Sequence, residues 1–272
     1  MLHFRRIAIL LLAMTAGCVS RTPVNPSFPA SVDQGEKILS ADTAHPKPLS
    51  RPLVIVGGFF DPGFAQLLLA HDFRQYTHDD RVIGVTLGLS FDPDDYRQRI
   101  ITAVDKAFPS NDPVMTTEVD VIGYSMGGLA ARYAAINPAP GRRLRIARLF
   151  TIASPHTGAR SAMITSFNLF KLQEQMRPGS VFLRNLNHTA ALFPVYAYVC
   201  LNDRVVGAAY AAPPGQTPWW VSPPIFFSSH DWAFMDPRIR ADILTRLRDE
   251  PPLSHDPPKA IPPDSFAKTS PR

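Results

Sequence analysis

Ser125 stands in Gly123-Tyr124-Ser125-Met126-Gly127, between the apolar run Val119-Asp120-Val121-Ile122 and the stretch Leu129-Ala130-Ala131-Arg132-Tyr133. These flanks predict a strand that passes through a tight turn into a helix. Small residues at 123 and 127 suit such a turn, because bulky ones would collide with adjoining backbone. The hydroxyl is then projected at the carboxyl end of the strand. It faces the amino terminus of the helix, with its unpaired N–H groups and partial positive charge. That setting suits a nucleophile whose attack generates an oxyanion; the plain alternative is a glycine-rich turn that happens to hold a serine.

A serine hydroxyl attacks poorly without a base, and an imidazole base needs a carboxylate to hold its tautomer and stabilise its charge. Asp203 follows the apolar run Val195-Tyr196-Ala197-Tyr198-Val199-Cys200, and His230 follows Ile225-Phe226-Phe227. Both are expected in loops at the ends of later strands. Asp231 is a poorer partner, since an acid next in sequence to the base rarely points at its ring. His71, His78, Asp72, Asp79 and Asp80 surround a polar helix-to-strand connection and read as solvated surface rather than a metal site. Trp219, Trp220, Phe226 and Phe227 fit an acyl pocket, a core or a membrane-facing patch equally well.

The elements that must position these groups alternate. Strands are expected at 52–56, 82–87, 118–123, 145–152 and 195–201, with Ile225-Phe226-Phe227 as a short last one. Helices are expected at about 62–71, from Pro93 to Phe108 behind an Asp92 cap, at 126–136 and from Pro237 to Arg248. Such alternation implies an α/β fold with a mostly parallel sheet and helices on both faces, whose chemistry lies at the carboxyl ends of the strands. Between Pro155 and Pro194 the rhythm lapses, which fits either a small lid or an ordinary crossover carrying an extra helix.

The order Ser125, Asp203, His230 resembles that of the α/β-hydrolases. Thr151-Ile152-Ala153-Ser154-Pro155-His156-Thr157-Gly158 is similar to the T-x-x-x-P-H-x-G segment of lipase-like members, including triacylglycerol lipases and deacylase relatives that act on lipid anchors. The resemblance covers about residues 52 to 248. It implies an α/β-hydrolase fold and a serine esterase or lipase-like activity on acyl esters through an acyl-enzyme, without metal or other cofactor. Family members often carry His-Gly after the first core strand, whereas this chain has Gly57-Gly58-Phe59. By the same resemblance, the oxyanion donors are the backbone N–H groups of Phe59 and Met126. His156 belongs to the lipase-like motif but follows the wrong strand for the base, so it is read as structural or pocket-lining. Acyl transfer, thioester or amide cleavage by the same three residues stays open, as does a non-catalytic binding scaffold.

The ends of the chain carry other signals. Arg5 and Arg6, the apolar run Ile7 to Met14 and Thr15-Ala16-Gly17 read as a signal peptide over 1–17. The run is shorter than the ~20 residues that span a bilayer. Cys18 after Ala-Gly resembles a bacterial lipobox, which implies an exported protein anchored to a bacterial membrane by lipid on that thiol. Residues 18–50 then read as a flexible tether, 51–249 as the catalytic domain and 250–272 as a disordered, Pro-rich tail. Cys200, left without a partner, is expected to be a small core hydrophobe. Net charge is +5, and the Lys and Arg residues are scattered. That pattern argues against a nucleic-acid partner.

Overall fold

The structure is a computed structural model, and it describes residues 23–58, 61–88, 92–136, 141–164, 174–189, 191–224 and 228–263. Six parallel strands form one sheet: β1 (Leu53–Val56), β2 (Val82–Val85), β3 (Val119–Tyr124), β4 (Ile146–Ile152), β5 (Val195–Cys200) and β6 (Trp219–Val221). Their spatial order is β2-β1-β3-β4-β5-β6. The chain therefore starts at β1, steps outward to β2, and returns to the far side of β1 to lay down β3. Every residue of β1 and β3 is buried. Predominantly apolar runs suit strands covered on both faces; the one charged residue in them, Asp120, is paired with Arg148.

Eight α-helices flank the sheet among the described residues: α1 (Val32–Ala44), α2 (Phe64–Thr77), α3 (Pro93–Ala107), α4 (Met126–Ile136), α5 (Ser161–Ile164), α6 (Val181–His188), α7 (Ser229–Met235) and α8 (Pro237–Leu247). Asp92 caps α3 through the Asp94 N–H, with Pro93 in the first turn as the sequence suggests. Asp236 does the same for α8. One apolar cluster, with Leu53, Ile55 and Phe150, fills the sheet face under α1, α2 and α8. Another, with Val54, Val121 and Leu129, fills the face under α3 and α4.

Both termini depart from expectation. The stretch read as a flexible tether, 18–50, contains α1, and within it Phe28, Leu39 and Leu49 are buried. The Asn25 amide donates to the Trp220 carbonyl at 2.7 Å. The stretch read as a disordered tail, 250–272, is packed at least through its first part. The Ser254 N–H and hydroxyl donate to the buried Asp242 carboxylate, and the Trp219 and Trp220 indoles donate to the carbonyls of His255 and Lys259. The physical reason is complementation. The two terminal segments supply each other's hydrogen bonds, as when His255 and Lys259 N–H groups bond to Ser27. The domain thus extends beyond 51–249 at both ends. Among the described residues the last strand is Trp219–Val221, and both tryptophans are core residues; 225–227, where a short strand was expected, lie outside the described residues.

Helix α1 meets α8 through Gly35, where an added Cβ would lie 2.7 Å from the Pro237 carbonyl carbon. Overpacking of this kind typically costs about 1–3 kcal/mol. Gly35→Leu is expected to lower the thermal midpoint by several degrees, read by circular dichroism. An unchanged midpoint would mean that α1 contributes nothing to the fold.

Candidate active site

Ser125 follows β3 directly and adopts φ 51°, a left-handed backbone that a residue with a side chain avoids. The turn is held from both sides. The Ser125 N–H donates to the Ile152 carbonyl at 2.8 Å, and the Gly128 N–H donates to the Ser125 carbonyl at 3.3 Å. A Cβ on Gly123 would lie 2.5 Å from the Gly128 backbone, and one on Gly127 would meet the Val56 carbonyl oxygen. Both glycines are there because strand, helix and the end of β1 pass within backbone contact of one another.

Two later segments bring the remaining groups to Ser125. The His230 ring, in the first turn of α7, places Nε2 3.1 Å from Ser125 Oγ. Its Nδ1 lies 2.9 Å from Asp203 Oδ2. With Nδ1 protonated and donating to the carboxylate, Nε2 is left to accept the serine hydroxyl. Asp203 Oδ1 in turn accepts the N–H groups of Val205 and Val206 at 2.8 and 3.0 Å. Asp203 and His230 are buried, so the carboxylate is aimed by fixed donors rather than by solvent. Asp231 makes no contact with the ring nitrogens; its Oδ1 accepts the Tyr124 hydroxyl at 3.3 Å. The Tyr124 ring lies tilted beside that of His230, 5.3 Å between ring centroids. Burial, then the Asp231 and Asp203 carboxylates, push its hydroxyl pKa well up.

Met126 opens α4, whose first N–H groups have no acceptor within the helix. Gly58 stands beside Ser125, since a Cβ there would lie 3.3 Å from Ser125 Cβ. Phe59 and Cys18 lie outside the described residues. A cleft of about 380 Å³ opens over Ser125 and His230, lined chiefly by Phe64, Tyr124, Met176, Val205 and Phe234. Phe64 and Val205 at its mouth are 66% and 41% exposed. Residues 155–194 contribute Ala159, Ser161 and Met176 to this wall. Within 155–194, expected to be a lid or an ordinary crossover, residues 165–173 and 190 lie outside the described residues.

His156 lies apart from this set. Its Nδ1 accepts from Arg132 Nη1 at 3.1 Å and its Nε2 donates to Thr151 Oγ1 at 3.0 Å. Arg132 also bonds to the Asn187 side chain and the Leu186 carbonyl. The pair thereby ties α4 to α6. Burial drags the Arg132 guanidinium down to about 10. Sequence reasoning missed Arg132, because one arginine inside an apolar helix carries no motif. His71 and His78 sit away from the cleft, Asp72 pairs with Arg240, and Asp79 pairs with Arg81. Among the described residues no group of three His, Cys, Asp or Glu side chains forms a metal site. Cys200 is buried, and burial pushes its thiol pKa well up.

Burial, then Arg132, hold the His156 pKa well below the ordinary value. In the unfolded chain that imidazole takes up its proton near pH 6.5, so stability is full above that pH and falls as pH drops below it. The stability difference between wild type and His156→Gln is therefore expected to shrink between pH 7 and 5. Urea midpoints across that range measure it; a constant difference would contradict the assignment.

Residues 72–191 match a family model described as PGAP1-like alpha/beta domain. That span includes Ser125 and ends before Asp203 and His230. No curated protein matches the chain. Among solved structures, the gene lin2722 product of Listeria innocua is 13% identical, covering 74% of this chain and 95% of that one at a TM-score of 0.50. The mature lipase BlEst2 of Bacillus licheniformis is 15% identical, covering 77% and 94% at 0.49. The metagenomic carboxyl esterase MGS0156 is 15% identical, covering 71% and 76% at 0.46. With the parallel sheet, its strand order and the strand-turn-helix at Ser125, the chain has the α/β-hydrolase fold, and its residues 72–191 are similar to the PGAP1-like α/β domain.

Proposed function

We propose that the protein is a serine hydrolase that cleaves acyl esters through an acyl-enzyme. The observation that carries this reading is the hydrogen-bonded chain from Ser125 Oγ through His230 to Asp203. Ser125 attacks the acyl carbonyl while His230 Nε2 takes its proton. Asp203 holds the imidazole in the productive tautomer and stabilises the imidazolium that forms. The Met126 N–H at the start of α4 and, by the family resemblance, the Phe59 N–H would be the oxyanion donors, each worth roughly 3–4 kcal/mol in sites of this kind. His230 then returns the proton to the departing alcohol, and water, activated by the same ring, releases the acid.

The apolar wall of the cleft supports acyl chains or lipids as the substrate class. Lipid attachment at Cys18 would hold the enzyme at a bacterial membrane after export. Among the described residues no helix is long and apolar enough to cross a membrane.

A fluorophosphonate probe is expected to label the folded protein and to leave Ser125→Ala unlabelled; labelling that survives the substitution would sink the nucleophile. Asp203→Asn is expected to lower turnover of p-nitrophenyl esters by roughly 10³–10⁴-fold. A chain-length series on wild type then sorts lipase from small-ester esterase by where activity peaks. Radiolabelled palmitate is expected to enter wild type and not Cys18→Ser; equal incorporation would remove the anchor.

A further inference from the structure

The loop that follows β1 begins with Gly57 and Gly58; Gly58 lies against Ser125, and Gly57 is backed by a buried side chain. Gln66, in the first turn of α2, is fully buried. Its Nε2 donates to Thr86 Oγ1 at 2.7 Å, just beyond the end of β2. Its Oε1 has no hydrogen-bond partner among the described residues. The carboxamide fills the space beneath Gly57: a Cβ on Gly57 would lie 2.6 Å from Gln66 Cδ.

The contacts run on from there toward the nucleophile. The Gly57 N–H is fixed by the Val85 carbonyl at 3.1 Å, and Gly58 abuts Ser125. The far end of the loop is fixed by Asp61, whose carboxylate accepts the N–H groups of Gly63, Phe64 and Ala65 at 2.9, 2.5 and 2.9 Å. A buried amide oxygen without a donor is costly. Its retention in contact with a residue that has no side chain is accounted for if the amide serves as a prop.

We propose that Gln66 is a positioning residue: it sets how closely the Gly57-Gly58 backbone approaches Ser125, and so the space left beside the nucleophile for the acyl carbonyl. It touches no reacting atom. The proposal rests on Ser125 being the nucleophile. It also explains why position 57 is glycine, since any side chain there competes with the Gln66 amide for one volume.

The experiment is a cycle of Gly57→Ala, Gln66→Ala and the double variant in the full chain. Gln66→Met, which keeps the volume and loses the amide, separates the prop's bulk from its bond to Thr86. Four readings are taken: the fluorophosphonate labelling rate, kcat and KM on a p-nitrophenyl ester, affinity for a trifluoromethyl ketone, and the urea midpoint. Gln66→Ala is expected to lower kcat and ketone affinity together by roughly 10- to 100-fold, with KM within about twofold. Gly57→Ala is expected to destabilise wild type and to cost much less once Gln66 is Ala. Gln66→Met retains more of kcat than Gln66→Ala if bulk sets that approach.

A folded Gln66→Ala enzyme with wild-type kcat and ketone affinity overturns the proposal, as does an additive cycle in the urea midpoints. If wild type is neither labelled nor active, the hydrolase reading fails. The stability cycle still decides whether Gln66 and Gly57 share one volume.

Discussion

Ser125 is held in a backbone conformation that costs roughly 1–3 kcal/mol, and the rest of the site depends on the packing that enforces it. The end of β1, the turn after β3 and the start of α4 come together with no side chain between them. Their neighbours stitch the strand ends in sequence: the Ser125 N–H bonds to the β4 carbonyl of Ile152, and the Ala153 N–H bonds to the β5 carbonyl of Tyr198. Ala153 itself shows φ 51°. The strain is therefore spread along one rim of the sheet, where the topology also opens its crevice between β1 and β3.

That rim needs an immobile base beneath it. The last helix, α8, is locked to β5 and to the carboxyl-terminal segment by Asp242, which accepts from Tyr198, Arg246 and Ser254. Arg246 lies over the rings of Tyr196 and Trp219 at 4.8 and 4.7 Å. Buried ion pairs of this sort add little net stability, but removing one partner strands the other. Asp236 joins the two levels. It caps α8, binds Arg238 and accepts the Trp232 indole, so α7, which carries His230, is seated on the same network.

The alternation of strands and helices, the turn at Ser125 and the loop bearing Asp203 were legible because each rests on a strong local signal, whereas His230, expected in a loop, lies in the first turn of α7. Buried parallel strands are predominantly apolar runs, and the cap at Asp92 is readable directly. Helix α1 was not legible, because only Gly35 and Leu39 of its thirteen residues are buried. Its apolar stripe is too sparse to stand out from a linker. A cue was present in Ser31, whose side chain accepts the Gln34 N–H in the pattern of a helix start. Segment 251–263 was hidden by its prolines, which forbid helix but leave carbonyls free for the two indoles. Gln66 and Arg132 act only through partners distant in sequence, so their own neighbourhoods are silent about them.

The seating of the amino-terminal segment changes what an acyl group on Cys18 would do. Asn25 is bound to the carbonyl of Trp220, near the carboxyl end of β6, and all six strands are parallel. Seven peptide units separate Cys18 from Asn25, a reach of at most roughly 25 Å. A leash that short provides little lateral search. It would instead bring the edge of the molecule nearest β6, on the rim shared with Ser125, close to the bilayer, and so favour scissile bonds lying at the lipid surface over those carried on distant soluble molecules.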